Sequence, residues 1–416
     1  MLKYVGVVIH MEDELKNIQF LNELTTFSDL EKMINLPPMS PFSEDIIDYL
    51  NILSKEINKY PKIREYPDVA TFAFFCRRAN IIALKAKKNY NKNETRLGRG
   101  IIYHVAPSNV PVNFAYSLVT GLLSGNSNIV KVPSKVFNQI DIISSAINRI
   151  ARNSKYLNIA KRIILVRYDR NSDATKFFSS ICDVRIIWGG DETIQQIRRY
   201  QLQPRSFDLT FADRFSICVI NANKYINESD PKKISKGFFN DTYLFDQNAC
   251  TSPHLIIWIG SKTNLKNAKK KFWDCLYGLL KNNYKVQSIS VINKLTAFCN
   301  QAIQMHGLKL VQKKDNLIWR ITLDKLEKDL DKFRCDSGYF LEYETSSLIE
   351  ISKIINRKYQ TLSYYGFSKN EMRNLINSLN PVGIDRMVPI GRTMEFSLTW
   401  DGYNLINSLT RKIEIL

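Results

Sequence analysis

The chain has 416 residues, 44% hydrophobic and 24% charged, an ordinary globular composition with room for two or three sizeable cores. No apolar run reaches the ~18 residues a membrane helix needs, and the apolar start at Tyr4–Ile9, followed by Glu12, Asp13 and Glu14, is too short for a secretory leader. A cytoplasmic protein with no membrane span is expected.

The net charge of +19 has three readings: compositional drift toward Lys, Asn and Ile, attraction of a phosphorylated ligand, or nucleic-acid binding. The lysines are spread through the chain and no nucleic-acid motif occurs, so no nucleic-acid partner is expected. The cysteines, Cys76, Cys182, Cys218, Cys250, Cys275, Cys299 and Cys335, form no CxxC pair, and His10, His104, His254 and His306 form no ligand cluster. Free thiols and no metal are the expectation.

Residues 11–95 read as mostly helical. Ser43 is placed to cap a helix whose first turn holds Glu44 and Asp45. Ile46, Leu50, Leu53 and Ile57 then make one apolar stripe, and Pro61 stops it. A second helix is predicted over 69–88. From Gly98 the pattern changes to strands alternating with helices: strands at 100–105, 129–133, 162–166, 183–188 and 217–220, with helices between. Ser172 is a candidate cap for the helix over 173–180. This alternation argues for βαβ units and a parallel sheet, whose ligands bind at the carboxyl ends of the strands. Long helices over 264–282 and 292–306 suggest a second α/β domain, and 381–402 reads as irregular.

Two carboxyl-end loops stand out. In Trp188-Gly189-Gly190-Asp191 the glycines allow close backbone approach before a helix N-terminus, which suits a pyrophosphate; an ordinary strand–helix turn is the plainer alternative. At Lys131-Val132-Pro133-Ser134-Lys135, two lysines and a serine could hold a ribose or a phosphate, or stand in solvent.

Cys250 lies in Asp246-Gln247-Asn248-Ala249-Cys250-Thr251-Ser252-Pro253, just ahead of a buried apolar strand at 255–259. Its polar neighbours supply hydrogen bonds more readily than packing. The alternative is an inert, buried small hydrophobe. His254 follows four residues later, about 13 Å away if the segment is extended. It and His104 are read as structural.

The cysteine loop, together with Gly100–Pro111, Leu122–Ser134, Lys358-Tyr359-Gln360-Thr361-Leu362 and Gly383–Gly391, resembles the acyl-CoA reductases of the LuxC family. These belong to the aldehyde dehydrogenase superfamily and supply the reductase of the bacterial bioluminescence fatty acid reductase complex. The matches run in order over roughly 98–410, whereas the first 95 residues match only by position. The resemblance implies an α/β, aldehyde dehydrogenase-like fold. It would comprise a mostly helical segment (1–97), a Rossmann-like NADP-binding domain (98–240), a catalytic domain (241–370) and a C-terminal segment closing the active-site cleft (371–416).

Residue by residue, Cys250 falls on the superfamily's nucleophile and Asn109, in Pro107-Ser108-Asn109-Val110-Pro111, on its oxyanion-hole asparagine. Lys131 falls on the lysine that touches the cofactor ribose and Gly189, with Gly190, on the pyrophosphate turn. Ser134, beside Lys135, stands where NAD-specific members carry a glutamate, which favours NADPH, with NADH as the alternative. Thr210 stands where hydrolytic members carry a glutamate base, so the acyl-enzyme can wait for hydride. A cofactor-contacting glutamate of the catalytic domain could be Glu342 or Glu344.

The implied function is NADPH-dependent reduction of an acyl thioester, the expected substrate being a fatty acyl-CoA. The acyl group could instead come from an acyl-protein synthetase or an acyl carrier, and a homo-oligomer is expected. The competing readings are an oxidising aldehyde dehydrogenase and an acyl-transfer or acyl-binding subunit of a multi-enzyme complex.

Overall fold

The computed structural model describes residues 18–87, 94–170 and 172–415, so the apolar start at residues 4–9 and the expected helix end at Lys88 lie outside the described residues. The chain divides into two compact units. One runs to Ala212 and includes the last residues from Tyr403 onward; the other spans Asp213–Gly402.

The first unit is built on a six-stranded sheet of β1 (Gln19–Phe20), β3 (Ile101–Val105), β4 (Ser127–Lys131), β5 (Ile163–Arg167), β6 (Val184–Trp188) and β7 (Phe207–Phe211), in the order β1-β5-β4-β3-β6-β7. All neighbours pair in parallel except β1, which runs antiparallel to β5. β3 and β6 are buried along their whole length, which accounts for their nearly unbroken apolar sequences. From β3 the chain winds one way through β4 and β5 and then the other way through β6 and β7. The direction therefore switches between β3 and β6, where open sheets of this kind bind ligands. A separate two-stranded ladder pairs β2 (Thr95–Gly98) with Thr410–Ile413. The final residues of the segment expected to close the cleft thus add a strand to the first unit.

The helix expected at Ser43 begins at Glu44 and ends at Asn58, with Ile46, Leu50, Leu53 and Ile57 fully buried. Ser43 occupies the cap position, but its side chain accepts no backbone hydrogen bond. The helix predicted over 69–88 is two helices, Pro67–Phe75 and Arg78–Ala86. Arg77 between them is extended, and the Arg78 N–H donates to Asn51 Oδ1 at 3.1 Å, so a neighbouring helix caps the second. The helix expected over 173–180 runs Ala174–Ile181 with Asp173, not Ser172, at its cap position, though Ser172 Oγ accepts from the Ala174 N–H at 3.2 Å.

The second unit holds a seven-stranded sheet of β8 (Phe215–Asn221), β9 (Pro253–Ile259), β10 (Lys309–Gln312), β11 (Trp319–Thr322), β12 (Tyr339–Thr345), β13 (Tyr359–Tyr365) and β14 (Arg386–Pro389), in the order β10-β11-β12-β9-β8-β13-β14. It is parallel except for the β10–β11 pair. β8, which falls within the 98–240 segment, hydrogen-bonds into this second sheet. Apolar layers cover both faces, one around Leu255, Ile257, Ile321 and Leu341 and the other around Ile256, Trp258, Phe272 and Phe340. The stretch 381–402, expected to be irregular, contributes β14 as an edge strand, where Pro389 costs no ladder bond.

Candidate active site

The cysteine loop follows the helix Pro231–Thr242 and a single 3-10 turn, Tyr243–Phe245. Asp246 and Gln247 then adopt left-handed backbone conformations, φ 50° and 62°, which reverse the chain toward β9. Gln247, 1% exposed, fixes the reversal through four hydrogen bonds. Its Oε1 accepts from the N–H groups of Gly338 (2.9 Å) and Tyr339 (3.1 Å), and its Nε2 donates to the carbonyls of Pro253 (3.0 Å) and Tyr339 (3.1 Å). The loop is thereby tied to the starts of both β9 and β12.

Cys250 sits on this loop, half-buried, just before β9, as the sequence suggested. Its carbonyl accepts from Ser216 Oγ at 2.6 Å, and the same Oγ accepts from the Thr361 N–H at 3.2 Å. Next to it, Thr251 Oγ1 donates to Met394 Sδ at 3.3 Å. Burial pushes the Cys250 thiol up to about 12, and the charge of Asp401 acts in the same direction. Opposing them are a hydrogen bond from the Gln360 side chain and the guanidinium charges of Arg334 and Arg214. Arg386 also interacts electrostatically with Cys250.

These arginines are fixed in place. Arg214 donates to the carbonyls of Lys358 (3.2 Å) and Tyr359 (3.0 Å) and pairs with Asp385. Arg334 donates to Asp213 Oδ1 (2.9 Å) and to the Arg214 carbonyl (3.0 Å). Arg386 ties together the carbonyls of Arg392, Thr393 and Glu395 and lies over the Trp400 ring. Gln360, Asp401, Arg214 and Arg334 were not singled out in the sequence. Gln360 lay inside a matching motif, but nothing in the linear pattern ties it to Cys250.

His254 is no partner for the thiol. Its Nδ1 is hydrogen-bonded with the Cys335 carbonyl at 3.1 Å, the ring stacks on Phe215, and burial holds its pKa down at about 3, so it stays neutral. Glu342, one of two candidate cofactor contacts, is fully buried and accepts from Trp258 Nε1, Trp273 Nε1 and Arg320 Nε, with Lys269 at 3.4 Å. Glu344, the other, pairs with Lys269 at 2.7 Å. Glu342 is thus committed to the scaffold of the second sheet.

In the first unit, Asn109, Lys131 and Gly189 follow or end β3, β4 and β6 at their carboxyl ends, three neighbouring strands on one sheet edge. Asn109 is exposed in the bend between β3 and the helix Asn113–Leu123. Lys131 is half-buried, its Nζ 4.5 Å from the centre of the Tyr168 ring. Burial lowers its pKa and Arg170 adds to that, against the opposing charge of Asp169. Arg170, three residues past β5, reaches Gln196 Oε1 at 2.7 Å and adds a cation that the sequence reading missed. Ser134 is exposed, with its Oγ 3.5 Å from the Tyr168 carbonyl, and Lys135 Nζ lies 5.1 Å from the Phe137 ring centre.

Gly189 and Gly190 precede the helix Asp191–Arg198. A Cβ on Gly190 would meet nothing within 4 Å, so the space before that helix is open. His104 is fully buried, bonded to Ser117 Oγ (2.7 Å) and Asn128 Oδ1 (3.0 Å), a structural role in keeping with the sequence reading. Gly121 permits this cluster, since a Cβ there would lie 1.8 Å from Asn128 Oδ1. Thr210 lies on β7, its Oγ1 3.5 Å from Arg198 NH2. The nearby Asp208 carboxylate is bound by the buried Arg185 at 2.7 and 3.1 Å.

Among the described residues, no group of three or more His, Cys, Asp or Glu side chains could hold a metal ion, and no helix is long and apolar enough to cross a membrane. The cysteines are all free.

A family model described as acyl-CoA reductase (LuxC) matches residues 79–412. A long-chain acyl-protein thioester reductase of Aliivibrio fischeri is 25% identical over 298 residues, covering 70% of this chain and 58% of that protein. One from Photobacterium phosphoreum is 24% identical over 328 residues, covering 76% of this chain and 62% of the other. The chain thus spans about three fifths of the length of these curated relatives. Among solved structures, lactaldehyde dehydrogenase from Escherichia coli superposes with a TM-score of 0.63 at 12% identity, over 93% of this chain and 88% of that one. Aldehyde dehydrogenase 21 from Physcomitrella patens gives 0.65 at 11%, over 94% and 90%. The expected aldehyde dehydrogenase-like α/β fold is therefore present.

Proposed function

The chain belongs to the acyl-CoA reductase (LuxC) family, and on that premise we propose that it reduces an acyl thioester to the aldehyde through a covalent intermediate on Cys250. The observation that carries this reading is the setting of Cys250 at the head of β9: a polar loop pinned by Gln247 and Ser216, with the Gln360 side chain and the charges of Arg214, Arg334 and Arg386 favouring its thiolate.

In the proposed reaction the Cys250 sulfur bonds to the thioester carbonyl carbon. The Asn109 amide and the Cys250 N–H take the developing oxyanion, a role in which one donor contributes about 2.7–4 kcal/mol. The bond to the leaving sulfur then breaks, and the thiol proton departs with coenzyme A as its free thiol. The acyl group stays on Cys250. Thr210 supplies no carboxylate to activate water, so the acyl-enzyme persists until it is reduced. A bound nicotinamide cofactor would supply the hydride for that reduction. Collapse of the resulting thiohemiacetal anion breaks the carbon–sulfur bond and releases the aldehyde, and the sulfur takes one proton from solvent to return to the thiol.

The residues of the first unit suit such a cofactor. Lys131, desolvated at a strand end, would meet the ribose; the open front of Gly190 would admit the pyrophosphate; Ser134 and Lys135 would accept a 2′-phosphate without repulsion. NADPH is accordingly the proposed form, with NADH the alternative. The proposed substrate is a fatty acyl-CoA, or an acyl-protein as the relatives' names state for those proteins. A homo-oligomer in the cytoplasm completes the proposal.

The test is to incubate the protein with radiolabelled acyl-CoA, locate the label, and then add NADPH or NADH and follow aldehyde. Label should sit on Cys250, leave as aldehyde, and be absent from Cys250→Ala. Undiminished labelling of that variant would sink the mechanism.

A further inference from the structure

The helical segment stands apart from the chemistry of Cys250. The family match begins only at residue 79, and a net charge of +19 goes far beyond a cofactor site that uses Lys131 and Lys135. The helix Glu44–Asn58 buries Ile46, Leu50, Leu53 and Ile57. Along a different face run Asn51, Lys55 and Asn58 at helical spacing, with Lys59 at the C-cap. Against this face lies the junction of the helices Pro67–Phe75 and Arg78–Ala86, fixed there by Asn51 Oδ1, which accepts the Arg78 N–H at 3.1 Å. Asn51, Lys55, Asn58, Lys59, Arg77 and Arg78 line a cavity of about 690 Å³. Small-molecule sites typically measure ~300–1,000 Å³.

The lining holds four cations and no acidic residue. Two of the cations are answered from outside the cavity. Arg78 pairs with Glu44 at 2.6 Å and Asp48 at 2.5 Å, and Lys59 pairs with Glu56 at 2.5 Å, a carboxylate that also holds Arg149 at 3.2 Å. Lys55 and Arg77 are both exposed and have no carboxylate partner among the described residues. The Arg77 guanidinium lies over the Phe74 ring, 4.8 Å from its centre, a stacking that leaves its N–H edge free to donate. The Asn51 carbonyl oxygen is taken by Arg78, so its amide N–H groups are what remains to offer. Two uncompensated cations beside amide donors call for a dianion. A guanidinium fork next to an ammonium suits the oxygens of a phosphate group. The cavity is far larger than one phosphate, which leaves room for an organic remainder.

We propose that this cavity binds a soluble phosphorylated small molecule, with Lys55 and Arg77 holding its phosphate. The site is independent of the assignment of Cys250. It gives part of the basic charge a definite address, where compositional drift would scatter it without effect. The same phosphate chemistry is found on anionic lipid headgroups, and the experiment separates the two sources.

Inorganic pyrophosphate is titrated by calorimetry into the full chain as wild type, as Lys55→Glu/Arg77→Glu, and as Lys262→Glu/Lys266→Glu. The last pair is exposed on the helix Lys262–Asn283 of the other unit and makes the same change in net charge. Pyrophosphate should bind the wild type, about tenfold or more weakly to the Lys55/Arg77 variant, and nearly as in wild type to the control pair. Vesicles containing phosphatidic acid form the second arm and should show no loss that is specific to the Lys55/Arg77 variant. Absence of pyrophosphate binding to the wild type, or equal weakening in both variants, would overturn the proposal, the latter by reducing the effect to overall charge. Vesicle binding that depends on Lys55 and Arg77 without any binding of pyrophosphate would overturn it in favour of a lipid surface.

Discussion

Replacing Gln247 by Leu keeps most of the side-chain volume and removes its hydrogen bonds. In the native chain this side chain satisfies two N–H donors, on Gly338 and Tyr339, and two carbonyls, on Pro253 and Tyr339. With the side chain 1% exposed, water does not readily replace it. A buried polar group stranded this way costs about 1–3 kcal/mol. At the low end, the four contacts together give about 4 kcal/mol, a large share of the ~5–15 kcal/mol that holds a typical domain folded.

Equilibrium urea unfolding is the assay. Four of the five tryptophans, Trp258, Trp273, Trp319 and Trp400, lie within Asp213–Gly402 and only Trp188 outside it, so intrinsic fluorescence reports chiefly on the unit that contains Gln247. The midpoint should fall with the slope unchanged. A loss below about 1 kcal/mol would refute the reasoning, since it would mean that the four backbone groups find other partners at no cost.

Two further outcomes are expected. Asn109→Ala should lower kcat about 10²–10³-fold with a smaller change in cofactor affinity, read by steady-state kinetics; a near-normal kcat would leave Asn109 as a turn residue only. In cofactor titrations NADPH should bind more tightly than NADH, with the preference shrinking as salt rises, and Ser134→Glu should reverse it; equal affinities in both proteins would remove the basis for preferring NADPH.

The alternation of apolar strands and helices was legible because β3, β6, β8 and β9 are buried on both faces and leave nearly continuous apolar runs. The place of Cys250 was legible for the same reason, since the strand it precedes announces itself. The break at Arg77 was not, because no Gly or Pro marks it: the signal is the Asn51 side chain, on another helix. β14 was hidden by Pro389, which an edge position tolerates. The surroundings of the thiol were the least legible part. Arg214, Arg334, Gln360, Arg386 and Asp401 are scattered over nearly 190 residues of sequence, between positions 214 and 401, and act on one sulfur only once the second unit has folded. No periodicity encodes that gathering.

The protonated resting state of Cys250 bears on how the protein ages in the presence of peroxide. Oxidation of a cysteine to the sulfenic acid, and onward to forms that cannot be recovered, begins from the thiolate and needs access. Cys250 is half-buried with its thiol pushed up to about 12, whereas Cys299 is exposed on the helix Ser288–Gln304. A diffusing oxidant therefore meets the exposed Cys299 first and finds Cys250 in its less reactive form. On the proposed assignment of Cys250 as nucleophile, the desolvation that makes the first chemical step harder would also slow the loss of that sulfur to oxidation.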